Sequence, residues 1–137
     1  MPLAEIWLFC HNGPMRNDQE KSEEEQRVII WMGDSLKSLR RFPEEVKDTL
    51  GQDLFEVQSG RTPKSAKPLK AVGSGVYELR DDFDTDTYRC VYIAKLEKGI
   101  YVLHAFKKKS KSGIATPREE IEKVRERYRQ AVRLDKE

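Results

Sequence analysis

The chain has 137 residues, 37% hydrophobic and 36% charged, with a net charge of +2. That is enough for one ordinary domain with a real core, and too apolar for a disordered chain. Two cysteines, Cys10 and Cys90, exclude a disulfide framework and show no zinc spacing. No apolar run approaches membrane-spanning length, and Ile6–Cys10 is too short for a secretory h-region. A soluble, cytoplasmic protein is expected.

The charges are unevenly placed. Residues 1–60 carry 7 Lys+Arg against 12 Asp+Glu, and residues 61–137 carry 19 against 12. Such asymmetry suggests an anionic partner for the second half, or simply a solvated basic surface.

In chain order, residues 1–26 read as an extension. Its second part is polar, acidic between Glu20 and Glu25, and offers little to offset ordering entropy. The domain proper is expected at 27–137. Val28–Met32 (VIIWM) is a short apolar run of strand character that ends at Gly33. SLKSLRRF, with Asp34 or Ser35 as cap, predicts a short helix. Pro43 opens a second helix, whose Val46, Leu50, Leu54 and Val57 form a stripe of helical period. Arg61–Lys70 reads as a loop. Val76–Arg80 alternates as a strand, Asp81–Asp86 as an acidic turn, and Thr87–Ala94 and Ile100–Phe106 as two further strands. Three strands joined by short turns make an antiparallel meander. Thr116-Pro117-Arg118-Glu119 then reads as a capped helix start, with Thr116 as cap and Glu119 closing the capping box. Ile121, Val124, Tyr128 and Val132 follow as its buried stripe. The acidic turn lacks the glycine and closing glutamate of a calcium loop, and no metal site is expected.

A meander sets strand ends side by side. Arg80 and Arg89 flank one hairpin, and Lys107, Lys108, Lys109 and Lys111 follow the last strand. The expectation is one basic rim of Arg80, Arg89, Lys107 and Lys108, with Lys70 possible from the preceding loop. Such a group suits a phosphate and the charge that develops on it. Tyr77, Tyr88, Tyr92 and Tyr101 supply rings that could stack on bases, although most strand tyrosines are packing residues. The same holds for His104 on its apolar strand.

Four stretches carry a family resemblance: WMGDSLKSLRRFPEEV, AKPLKAVGSGVYELR, YRCVYIAKLEKGIYVLHAFKKKSKSGIATP and the last helix. Over Arg27 to about Val132 the chain resembles the phage-derived, HigB-type branch of the RelE/ParE toxin superfamily. The resemblance implies an α+β, RelE-like fold: an antiparallel meander sheet packed against an N-terminal helix hairpin, with a C-terminal helix. It implies a toxin of a type II toxin–antitoxin system that cleaves mRNA on the ribosome without metal or cofactor, by attack of a ribose 2′-hydroxyl on the adjacent phosphate. The implied partner is a helix-turn-helix antitoxin encoded nearby, with operator DNA reached only through it and no membrane involved. Arg89 in the YR pair matches the arginine that stabilises the transferring phosphate. Arg80 matches a basic residue on the preceding strand, and Lys107 and Lys108 fall where further basic residues follow the last strand. The catalytic set is therefore Arg89, Arg80, Lys108 and His104. Lys70, Lys107, Lys109, Lys111 and Tyr88 are left for RNA binding. Tyr88, His104 and Tyr128 stand as acid–base candidates, and none is singled out. The competing readings are a ParE-like toxin that binds gyrase and a non-enzymatic, antitoxin-binding regulatory subunit.

Overall fold

Apolar periodicity of two kinds alternates along this chain, and the fold stacks them in three layers. A computed structural model describes residues 26–109 and 116–137, Lys109 by its backbone alone. The elements are β1 (Ile29–Trp31), α1 (Ser35–Arg40), α2 (Glu44–Gln58), β2 (Lys67–Pro68), β3 (Val76–Phe83), β4 (Asp86–Ile93), β5 (Ile100–Lys109) and α3 (Arg118–Lys136). The sheet order is β1-β5-β4-β3-β2. β3, β4 and β5 form the expected antiparallel meander. β1 joins it in parallel alongside β5, with Ile29 opposite Ile100. The two-residue β2, inside a stretch that reads as loop, extends the other edge against β3. The extension expected over residues 1–26 lies, but for Gln26, outside the described residues.

The α1–α2 hairpin covers one sheet face. Leu39, Val46, Leu50 and Leu54 are fully buried there against Leu79, Cys90, Val102 and Ala105. Each such side chain contributes roughly 1.5–3 kcal/mol by leaving water. α3 covers the opposite face, where Val124 and Ala131 meet Val91, Ile93, Tyr101 and Leu103. β4 lies between both layers, so every residue from Thr87 to Ile93 is buried. Its alternation is therefore invisible in the sequence.

Three local expectations need correction. β5 does not stop at Phe106 but pairs with β4 through Lys109, which lies opposite Asp86. The lysines thus belong to the sheet. α3 begins at Arg118 with Pro117 as its N-cap and no side-chain capping bond. Thr116 is engaged elsewhere. Asp34 occupies the N-cap position of α1 without a capping bond and pairs instead with Arg127 at 3.0 Å. At the far end of α3, Asp135 accepts the backbone N–H groups of Glu97 and Lys98 at 2.9 and 2.8 Å and the Tyr101 hydroxyl at 3.1 Å. This fastens the helix to the β4–β5 turn.

The hairpin layer is tested at its centre. Leu50→Ala should lower the unfolding free energy by about 2–5 kcal/mol, the usual cost of a buried leucine cavity. Urea denaturation checks this, with the midpoint falling and the slope unchanged.

Candidate phosphate-binding site

The register of the meander decides which charges meet. Arg80 lies directly opposite Arg89, and Arg89 opposite Phe106. Lys108 is opposite Thr87, and Lys107 opposite Tyr88. Side chains in register share a face and neighbours in sequence do not. Arg80, Arg89 and Lys108 therefore stand on the α3 face, with Glu78 beside them. Lys107 turns to the face of Tyr88. The expected rim of four is in fact a cluster of three, set into the sheet, with Lys107 behind it. Lys70 follows β2 at the Val76 end of β3, away from the β3–β4 turn. Lys111 lies outside the described residues, as does the side chain of Lys109.

Arg89 is only 2% exposed, and Glu78 12%. Arg89 Nη1 donates to both carboxylate oxygens of Glu78, at 3.3 and 3.4 Å, and to Thr116 Oγ1 at 3.0 Å. The Thr116 hydroxyl in turn donates to Glu78 Oε2 at 2.9 Å. This is where the presumptive helix cap is used. Arg80 pairs with the exposed Asp82 at 3.6 Å, which also accepts from Thr87 Oγ1 at 2.9 Å. Lys108 is almost buried. Lost hydration, then the Arg89 and Arg80 charges, hold its amine below the ordinary lysine range, with Glu78 opposing. Three cations thus surround one closely placed carboxylate, a local excess of positive charge that a phosphate would relieve.

The acid–base candidates from sequence fall in three different places. Tyr88 is buried on the other face, with its ring edge-on to Phe42 at 4.8 Å. Tyr128 packs its ring over Gly73. Tyr77 and Tyr92 stack on each other at 5.9 Å, and Tyr101 is buried under Asp135. His104 is on the α3 face but fully committed. Its Nδ1 meets Arg127 Nη1 at 3.2 Å, and its Nε2 meets Glu120 Oε1 at 2.5 Å. Arginine can only donate, so Nδ1 must accept, and the neutral ring carries its proton on Nε2 toward Glu120. Burial holds His104 below the usual histidine range, outweighing Glu120, with Arg127 and Lys123 acting in the same direction as burial. Arg127 also donates to Leu103 O at 3.1 Å and lies across Gly33. A β-carbon there would sit 2.5 Å from the guanidinium carbon, and Gly33 has φ +53°, which favours glycine on both counts.

An open groove of about 340 Å³ lies away from Arg89. It runs along β5 past the end of β1, between Arg41 and Phe42 on one side and Glu120 and Lys123 on the other, with Tyr88 and Lys107 in its wall. The cluster around Arg89 is closed by contrast, because Thr116 lies over it. Among the described residues no group of three or more His, Cys, Asp or Glu side chains is placed to hold a metal ion. No helix among them is long and apolar enough to cross a membrane. Cys90 is buried, and burial pushes its thiol up to about 12, which makes it inert. Glu78 is the residue that sequence reasoning missed. Its signal was a carboxylate two residues before Arg80, at strand spacing and so on the same face.

A helix hairpin, a meander sheet with a parallel first strand and a C-terminal helix make an α+β protein. The chain belongs to the family described as phage-derived protein Gp49-like, which matches residues 37–129. No curated protein matches it. Among solved structures, a free-state mutant of the E. coli toxin RelE is similar, at 21% identity and a TM-score of 0.49, with 79% of this chain and 96% of that chain covered.

The His104 network gives a pH prediction. A histidine whose folded pKa is lowered binds fewer protons folded than unfolded. Its contribution is therefore present above about pH 6.5, the unfolded value, and is lost as pH falls from there through the folded pKa. The urea midpoint should be lower at pH 5.5 than at pH 7.5, and His104→Gln should shrink that difference. Asp53 and Asp81, whose carboxyls burial pushes up, act in the opposite direction at lower pH, so both measurements stay above pH 5.

Proposed function

We propose that this protein is a toxin of the HigB type that cleaves ribosome-bound mRNA, with Arg89 as the residue that stabilises the transferring phosphate. The observation that carries this reading is the cluster of Arg80, Arg89 and Lys108 on one sheet face, short of negative charge and holding a lysine whose amine is depressed. Arginine suits the central place, since its planar fork matches phosphate and stays charged at any working pH. Guanidinium and ammonium groups together supply the charge stabilisation, so no metal or cofactor is called for. Because Arg89 is closed off in this state, a phosphate reaches it by displacing Thr116. Lys107, half-exposed and 3.8 Å from Asp86, serves flanking phosphates from the other face, and Lys109 and Lys111 are assigned to RNA binding with it. His104 is a structural pin in this reading. The partner that silences the toxin is a helix-turn-helix antitoxin, the compartment is the cytoplasm, and operator DNA is reached through the antitoxin.

One observation favours a second reading. Arg89 already has a carboxylate and a hydroxyl as partners, and a subunit that only binds an antitoxin, or gyrase, needs no access to it. Cleavage separates the two. Removing one transition-state donor costs on the order of 10²–10³ in rate. Arg89→Lys should lose that much in single-turnover cleavage of ribosome-bound message in the presence of chelator. Lys107→Ala should mainly weaken binding and reduce its salt dependence. A parent protein that cleaves nothing, or an Arg89→Lys variant as fast as the parent, would overturn the reading.

A further inference from the structure

Attack by a 2′-hydroxyl needs an acceptor for its proton and a donor for the leaving 5′-oxygen, each within reach of the phosphate-binding cations. The sequence candidates do not meet that need. Tyr88 faces the wrong side, Tyr128 is over Gly73, and both nitrogens of His104 are engaged. Glu78 is in direct contact with Arg89.

We propose that Glu78 is the general base of this cleavage and Lys108 its general acid; the proposal rests on the reading of Arg89 as the phosphate-binding arginine. A carboxylate offers about four acceptor sites. Thr116 takes one on Oε2 at 2.9 Å. Arg89 reaches both oxygens from a single nitrogen at 3.3 and 3.4 Å, well beyond the ~2.7–2.9 Å of a tight charge-assisted bond. That loose pair can be exchanged for a phosphate while the carboxylate stays beside it. Asp82, the other carboxylate on this face, is turned to Arg80 and Thr87. The 2′-hydroxyl proton passes to a Glu78 oxygen as the 2′-oxygen bonds to phosphorus. The P–O5′ bond breaks, and the 5′-oxygen takes a proton from Lys108 Nζ. The products are a 2′,3′-cyclic phosphate and a 5′-hydroxyl, and water then returns a proton from Glu78 to Lys108. Lys108 stands opposite Thr87 on the same sheet face as Arg89, and lost hydration, then the Arg89 and Arg80 charges, make it a stronger acid than a solvated lysine.

The groups that face Glu78 are Arg89 from β4, Lys108 from β5, its register partner Lys67 from β2, Thr116 ahead of α3, and Arg80 on its own strand. All but Thr116 are cations, so any change of charge at Glu78 is felt by the same cluster. A plain counter-ion role for Glu78 would share every one of these contacts. The two roles differ in whether loss of the carboxylate falls on the saturated rate or on binding.

The experiment is single-turnover cleavage of ribosome-bound message at saturating protein, from pH 5 to pH 9, for the parent, Glu78→Gln, Glu78→Asp and Lys108→Met. Glu78→Gln keeps the shape and an acceptor for Thr116. It should lower the rate about 10²–10⁴-fold and leave half-saturation nearly unchanged. Lys108→Met should lose the basic limb. Glu78→Asp, which keeps the charge but withdraws it, should bind like the parent and cleave at a reduced rate; it also carries the test if Glu78→Gln fails to fold. A Glu78→Gln variant that loses binding but not the saturated rate, or Glu78→Asp at the parent rate, overturns the assignment and leaves Glu78 a counter-ion. A folded, ribosome-bound parent that cleaves nothing overturns the nuclease reading and this assignment with it. That failure shows in the parent rather than in the variants.

Discussion

One unpaired residue in β5 decides what stands beside Arg89. Val91 is opposite His104, but the next residue of β4, Tyr92, is opposite Val102, so Leu103 has no partner and the strand bulges there. Before the bulge, Ile100 and Val102 face the α1–α2 hairpin; after it, Ala105 and Lys107 do. Leu103 and His104 both point toward α3 as a result. Strict alternation would have sent Lys107 to the arginines and left Lys108 outside. The bulge therefore sets the composition of the basic cluster and gives His104 its place under Arg127.

β5 also explains why the cluster is closed. A strand that keeps pairing through Lys109 carries its lysines into the sheet, where one of each pair of neighbours must be covered. Lys108 is covered, at a cost in hydration that only nearby carboxylate or substrate charge can offset. Glu78 supplies part of that offset. Thr116 supplies the geometry by accepting from the arginine and donating to the carboxylate with one hydroxyl.

Much of this was legible in the sequence, and what was not has definite causes. The helical stripe of Val46, Leu50, Leu54 and Val57 and the order of the three meander strands follow from periodicity alone. The end of β5 was misplaced because polarity begins at Lys107 while hydrogen bonding continues, and polarity is what periodicity reads. Thr116-Pro117-Arg118-Glu119 has every mark of a capped helix start. Local pattern cannot register that a buried ion pair, 38 residues earlier in the case of Glu78, offers the threonine a better bond. The parallel pairing of β1 with β5 joins residues at the two ends of the domain and leaves no local trace. The facing of Lys107 and Lys108 depended on a bulge, and a single displaced residue inverts every side chain after it.

The two attachments of α3 are unequal in kind to its middle. Only Val124 and Ala131 of its side chains are fully buried, whereas Thr116 holds its start to β3 and β4 and Asp135 holds its end to the β4–β5 turn with three bonds. Arg127 adds a fastening in the middle, to Asp34, Leu103 and His104, so the helix beyond it stays down. If Thr116 lets go, only the first turns of α3 can lift, like the free corner of a page, and the strip of sheet beneath them is the one that carries Arg89 and Lys108. The His104–Glu120 bond is then the second clasp on that corner.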